Sequence, residues 1–235
     1  RASRTVPFVS KAINQPIAQI AVACKLGKTL KDMNLTKPII PNYWSSKQVV
    51  FPFNRFPGSD PILGPEMRST GEVMGIGKTF AHAYAKGQMS TGHQIPQEGT
   101  ILISVRDQDK TNAVKLAQKL SDRGYSLIAT KGTYQALSDA NISCKVIPKV
   151  NEGRPHIVDC IKNKEVDFII NTTEGKQAIE DSFIIRKSAL QYNLPYATTL
   201  KGALAACQAL GDQGSEVFCL QKLHNNQLSH TLDTK

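Results

Sequence analysis

Four short segments carry the residue types that hold a phosphate: Ser104-Val-Arg-Asp-Gln-Asp-Lys110, Thr130-Lys-Gly-Thr133, Pro148-Lys-Val-Asn-Glu-Gly153 and Asn171-Thr-Thr-Glu-Gly175. Hydroxyls, glycines and lysines recur in them. The simplest anion site is a helix N-terminus, where the first backbone N–H groups lack intrahelical partners. Gly132 and Gly175 have no Cβ and let a ligand come close to that backbone. Thr hydroxyls add donors, and a lysine charge strengthens the hydrogen bonds. Lys110 stands where a helix would start. The competing reading is that these Thr and Asn residues only cap helices. A single turn leaves the two readings open, whereas four turns converging on one sheet edge favour a ligand.

Other chemistries find less support. Gly77-Lys78-Thr79 resembles the end of a phosphate-binding P-loop, G-x-x-x-x-G-K-[ST]. Its first glycine would fall at Glu72, Gly71 is one residue too early, and no strand pattern precedes it. Glu174, Glu180 and Asp181 read as helix caps and surface, and no Ser/His/Asp or Cys/His arrangement can be named. The five cysteines are odd in number and never spaced CxxC. Most lie in apolar or amphipathic runs, as expected of small buried hydrophobes in a reducing, cytoplasmic setting. Neither they nor the five histidines have ligand spacing, so no metal site is expected in this chain. The net charge of +10 points to anionic partners. Its Lys and Arg are scattered without a basic run or interleaved aromatics, which favours a phosphorylated small molecule over nucleic acid. No apolar run approaches the ~18–20 residues of a membrane span, so no membrane partner is expected.

To bring four turns to one edge, their strands must run in parallel. Residues 93–235 read that way, with strands over 101–105, 126–129, 144–147, 166–170 and 196–198. Helices over 110–123, 134–140, 155–162, 178–192 and 202–210 alternate with them. Short apolar strands alternating with helices imply an α/β, Rossmann-like parallel sheet covered on both faces. Ligands of such sheets sit beyond the carboxyl ends of the strands, where the four segments fall. Residues 1–92 hold much of the Pro and Gly and show little regular alternation. Helices are expected there over 15–26 and 80–86, with a strand over 48–53. The polar stretch 90–99 reads as a linker.

Longer motifs connect these pieces to a family. Arg1-Ala-Ser-Arg4-Thr-Val-Pro-Phe-Val-Ser-Lys11-Ala, Phe53-Asn-Arg-Phe-Pro and Asp60-Pro-Ile-Leu-Gly-Pro-Glu-Met-Arg-Ser-Thr-Gly-Glu-Val-Met-Gly75 come from the first part. Glu152-Gly-Arg-Pro-His156, Ile169-Ile-Asn-Thr-Thr173, Ala178-Ile-Glu-Asp-Ser182 and Ile185-Arg-Lys-Ser-Ala-Leu-Gln-Tyr192 come from the second. Together they resemble the C-terminal portion of the carbamoyl-phosphate synthetase large chain, over nearly the whole sequence up to about Asn225.

The resemblance implies that residues 1–92 are an α+β remnant of the second ATP-grasp domain and residues 93–235 a methylglyoxal-synthase-like allosteric domain. It implies a cytoplasmic ligase that makes carbamoyl phosphate from bicarbonate, ATP and ammonia, for pyrimidine and arginine synthesis. Its partners would be the rest of the large chain and a glutaminase small subunit, with self-association through the regulatory domain left open. Lys110, Thr130, Thr133, Lys149, Asn171 and Thr173 would hold the effector nucleotide, UMP or IMP. Arg1 and Arg4 match active-site arginines, while the metal-binding Glu and Asn of their motif would precede Arg1. ATP and magnesium or manganese would thus serve the full-length enzyme, and a fragment opening at Arg1 without an initiator Met would be inactive and hold none of them.

Two positions depart from the family. Lys131 stands where His is frequent, adding charge near the phosphate. Gln48 replaces the Glu of an ornithine site whose Tyr196 and Thr198 are retained, so weak or absent ornithine activation is expected. The alternative function is a standalone methylglyoxal-synthase-like phosphate lyase, which needs catalytic Asp residues after its early strands; Thr130–Thr133 contains none. A basic nucleic-acid-binding module is a third reading, opposed by the scattered charge.

Overall fold

A computed structural model describes residues 5–50, 71–93, 95–150, 152–173, 176–211, 217–219, 221–223 and 225. Arg1, Arg4, the motif at 53–57, most of the motif at 60–75, and Glu174 and Gly175 lie outside the described residues.

The first part contains helices α1 (Thr5–Ala12) and α2 (Ile17–Lys25), strands β1 (Trp44–Val50) and β2 (Gly71–Gly77), and helix α3 (Phe80–Ser90). The strands pair antiparallel, from Trp44 opposite Gly77 to Val50 opposite Gly71. The glycines decide how α3 packs on this ribbon. A Cβ at position 75 would lie 1.9 Å from the Ala83 carbonyl oxygen, and one at 77 would lie 2.5 Å from the His82 Cβ. A Cβ at 87 would lie 2.8 Å from Gln48 Cγ. The helix therefore touches the ribbon backbone to backbone. Thr79 starts α3 by accepting a hydrogen bond from the His82 N–H at 3.2 Å.

This corrects the reading of Gly77-Lys78-Thr79, because a strand does lead into that segment. Its sequence, Gly-Glu-Val-Met-Gly-Ile-Gly, has too few β-branched residues to announce a strand. The phosphate loop is still missing: Glu72 stands at its first-glycine position and pairs with Lys47 at 2.8 Å. β1 also begins earlier than expected, and α1 was not anticipated. Pro7 does not forbid α1, since it occupies the first turn, where no amide hydrogen is needed.

The second part is a five-stranded sheet of β3 (Thr100–Ser104), β4 (Ser126–Thr130), β5 (Lys145–Ile147), β6 (Phe168–Asn171) and β7 (Tyr196–Ala197). Its order is β5-β4-β3-β6-β7 and every pairing is parallel. Helices α4 (Lys110–Asp122), α5 (Lys131–Asp139), α6 (Ile157–Lys162), α7 (Lys176–Gln191) and α8 (Leu200–Ala209) connect and cover the strands. The period-two alternation of strand side chains divides the core. Ile101, Ile103, Leu127, Ala129, Phe168 and Ile170 pack on one face with Leu116, Leu120 and Leu137. Leu102, Ile147 and Ile169 pack on the other with Ile157, Ile161 and Ile185. Fully burying each such side chain contributes about 1.5–3 kcal/mol.

Several helix starts differ from expectation: α7 and α8 each begin two residues early and α2 two residues late, and the shifts of α6 and α5 have identifiable causes. α6 begins at Ile157, because His156 and Asp159 form a reciprocal capping box there and Pro155 precedes it. α5 begins at Lys131, so that Lys131, Gly132 and Thr133 form its first turn rather than a loop. No helix among the described residues is long and apolar enough to cross a membrane.

Gly75→Ala forces a methyl into the Ala83 carbonyl, a backbone group that cannot rotate away. Urea denaturation is expected to show a loss of roughly 1–3 kcal/mol; unchanged stability would mean that α3 does not rest on β2 this closely.

Candidate functional site

The chain leaves β3 in one direction, to β4 and β5, and returns to the opposite side of β3 with β6. A crevice opens where the order reverses, at the carboxyl ends of these strands. It contains a cavity of ≈ 370 Å³. All six sequence-derived nucleotide residues line it: Lys110, Thr130, Thr133, Lys149, Asn171 and Thr173. They come from four different turns, as the strand-end argument required.

The hydroxyls connect the turns. Thr130 and Thr133 are buried, at 3% and 1% exposure. The Thr130 hydroxyl donates to Ser104 Oγ at 3.2 Å and lies 3.5 Å from Thr133 Oγ1. Thr133 Oγ1 accepts the Val105 N–H at 3.1 Å, and Thr172 Oγ1 accepts the Arg106 N–H at 3.2 Å. The end of β3 is thereby tied to the starts of both neighbouring turns.

This geometry bears on the capping reading. Thr130 is the N-cap residue of α5, yet its side chain makes no capping hydrogen bond. Asp109 precedes α4 and makes none either. Thr79, His156 and Thr199, at three other helix starts, do cap. Capping thus occurs elsewhere in this chain, while the α4 and α5 starts facing the cavity lack side-chain caps. Gly132 sits in the first turn of α5, and a Cβ there would lie 3.3 Å from Lys110 Nζ. The Lys110 ammonium therefore lies over that turn.

Asn171, at the end of β6, is 2% exposed. Its Oδ1 accepts the Ser182 hydroxyl of α7 at 3.4 Å, but its Nδ2 has no hydrogen-bond partner among the described residues. A buried amide donor left unpaired costs about 1–3 kcal/mol, so an atom of this kind on a cavity wall needs an explanation.

Among the described residues, Arg106, Lys110 and Lys149 supply positive charge against one acid on the cavity wall, Asp107. Lys110 Nζ pairs with Asp107 Oδ1 at 2.7 Å and Arg106 Nε with Asp109 Oδ2 at 2.8 Å. The hydrogen bond and charge of Lys110, with a smaller contribution from Lys149, hold the Asp107 carboxyl below its ordinary range. The sequence reading passed over Asp107, Thr172 and Ser182 as contributors. Ser182 reaches the wall only through the approach of α7, which no local signal announces.

The proposed ornithine residues are not part of this cavity. Gln48 lies on β1 against Gly87 and donates to Ser46 Oγ at 3.1 Å. Tyr196 is on β7, and burial pushes its phenol up. Thr198 is exposed beyond the end of β7. Three of the cysteines are poor sources of thiolate: burial pushes Cys144, Cys160 and Cys207 up to about 11. Among the described residues, no group of three or more His, Cys, Asp or Glu could hold a metal ion.

Residues 112–198 match the family described as the MGS-like domain. That range includes five of the six residues expected to hold a nucleotide and begins just after Lys110. The carbamoyl phosphate synthase large chain of Xanthomonas axonopodis pv. citri is 54% identical over 225 residues, which are 95% of this chain and 21% of that one. The large chain of Vibrio cholerae serotype O1 is 53% identical over the same shares of each chain. Among solved structures, a methylglyoxal synthase from Elizabethkingia anophelis aligns with 53% of this chain and 89% of its own, at 19% identity and a TM-score of 0.41. The chain thus spans 21% of the length of the large chains it matches. Sharing more than half its residues with them across 95% of its own length, and carrying an MGS-like parallel sheet, it belongs to the carbamoyl phosphate synthase large-chain family.

Proposed function

We propose that this chain is the effector-sensing portion of a carbamoyl phosphate synthase large chain and that its cavity binds a nucleoside monophosphate. The observation that carries this is the convergence of four turns on one cavity, where the buried Nδ2 of Asn171 lacks a partner among the described residues. In the bound state the first turn of α5, with Lys110 above it, holds the phosphate, and Lys149 adds charge. Asn171 and Thr173 supply donors from the opposite side. The volume, ≈ 370 Å³, lies within the ~300–1,000 Å³ range of small-molecule sites. By the family resemblance the ligands are UMP as inhibitor and IMP as weak activator.

Residues 93–235 form this allosteric domain, and residues 1–92 belong to the second ATP-grasp domain. Support for the second assignment comes from α2, which buries none of its residues despite its apolar sequence. Val22 and Leu26 are 56% and 81% exposed, as on a surface that packs against more protein. The whole enzyme, with its glutaminase partner, makes carbamoyl phosphate in the cytoplasm with ATP and magnesium or manganese. Catalysis, and the ATP and metal it uses, belong to that whole enzyme rather than to this portion alone.

The standalone lyase reading fares worse. Asp107 does follow an early strand, but Lys110 lowers its proton affinity and so weakens it as a base. Asp109 is held by Arg106.

Titration calorimetry is expected to detect UMP and IMP binding to this chain; no heat with millimolar ligand would refute the site. Lys110→Ala and Lys149→Ala should each weaken binding by roughly 1–3 kcal/mol, the range for charge-assisted hydrogen bonds. Unchanged affinity in both would put the phosphate elsewhere. In the full-length enzyme, ornithine should activate weakly or not at all, because the neutral Gln48 amide gives an ammonium about 1–2 kcal/mol less than a Glu carboxylate. Gln48→Glu should strengthen activation in steady-state assays, and strong wild-type activation at micromolar ornithine would overturn this.

A further inference from the structure

The two acids in the turn between β3 and α4 have different jobs. Asp109 is 17% exposed and fixed by Arg106 at 2.8 Å, with a further hydrogen bond involving Thr172. Asp107 is 93% exposed, and the contact that holds it is the 2.7 Å pair with Lys110. Lys110 lies over the first turn of α5, and the charge of Lys149 also reaches Asp107. One loosely held carboxylate therefore engages a lysine on which the anion site depends.

We infer that Asp107 is a tethered competitor: its carboxylate occupies Lys110 in the empty site and must give way when a phosphate arrives, so it sets the affinity for phosphorylated ligands. The inference rests on the phosphate site proposed above. Exposed ion pairs are weak, so displacement is easy and the carboxylate does not close the site. A phosphomonoester carries a charge of about −1.5 to −2 near neutral pH, against a single charge on Asp107, and offers three strong acceptor oxygens. The incoming phosphate therefore wins Lys110, at an affinity reduced by the pair it breaks. An affinity held down in this way suits a sensor, which has to release its ligand as well as bind it.

The test is calorimetric titration of UMP and of inorganic phosphate into wild type, Asp107→Asn and Asp107→Glu, and into Lys110→Met with and without Asp107→Asn. Asp107→Asn should bind both ligands about two- to fivefold more tightly, corresponding to the strength of an exposed ion pair. Asp107→Glu, which retains the competing charge, should stay close to wild type. With Lys110→Met, the gain from Asp107→Asn should vanish, since no pair is left to break. Unchanged or weaker binding by Asp107→Asn would overturn the inference and make Asp107 a group that positions Lys110. A gain persisting undiminished with Lys110→Met would also overturn it, because the effect would then be through-space repulsion alone. Absence of UMP binding to both wild type and Asp107→Asn would instead refute the site itself.

Discussion

The parallel pairing of β3 with β4 on one side and β6 on the other is the constraint from which the site follows. Ile103 lies opposite Ala129 and Ile170, and Ser104 opposite Asn171, so the neighbouring strands end at nearly one level. A shift of one residue in either pairing would turn Thr130 or Asn171 to the other face of the sheet. The register is in turn held by burial. Ile101, Leu102, Ile103, Ile169 and Ile170 are at most 1% exposed, and slippage would exchange their places in the two cores. Hydrophobic packing thus fixes where the polar groups meet.

Those polar groups are placed at some expense to the fold. Asn171 is buried with half its amide unpaired, and α5 starts without the side-chain cap that Thr130 is well suited to give. The Thr130 hydroxyl instead joins Ser104 and Thr133, leaving the first N–H groups of α5 beside a lysine. A sequence selected for stability alone would have capped the helix and replaced the amide with an apolar side chain. The pattern is that of a site kept ready for an anion.

The sheet was legible in the sequence because its strands are short β-branched runs separated by amphipathic helices, and tertiary packing merely completes what periodicity announces. That Lys110, Thr130, Thr133, Lys149, Asn171 and Thr173 would line one cavity was legible for the same reason, since a parallel sheet dictates where its turns gather; their role toward a nucleotide came from the family resemblance. The first part was less so. β2 is three-sevenths glycine, and its strand conformation comes from pairing with β1 and from α3 pressing on glycine backbone, neither of which is a local signal. The early start of α5 was hidden because Lys-Gly-Thr reads as a turn, although glycine near a helix N-terminus is well tolerated. Asp107 was passed over because its significance lies in its contact with Lys110, which depends on the 3-10 turn Asp107–Asp109 winding directly into α4.

The two parts meet at α3. Gly75, Gly77 and Gly87 let this helix sit closely on the ribbon, with Gly75 against α3 backbone and Gly87 against the Gln48 side chain, so it cannot shift without moving β1 and β2. Tyr84, on the same helix, packs against the core beneath the parallel sheet, and α3 also contacts α8. Further ties join the parts on either side: Asn193 donates to the Gly92 carbonyl at 3.2 Å, and the Phe218 ring lies 4.2 Å from Lys86 Nζ. The Lys86 contact joins two half-buried side chains and is a single cation–ring interaction, whereas the α3 contact is close-packed and resists compression. A change in the sheet that displaces α8 or the core under Tyr84 therefore reaches the ribbon through one stiff helix. Side chains in place of these glycines would lift α3 off the strands and interrupt that path at its tightest point.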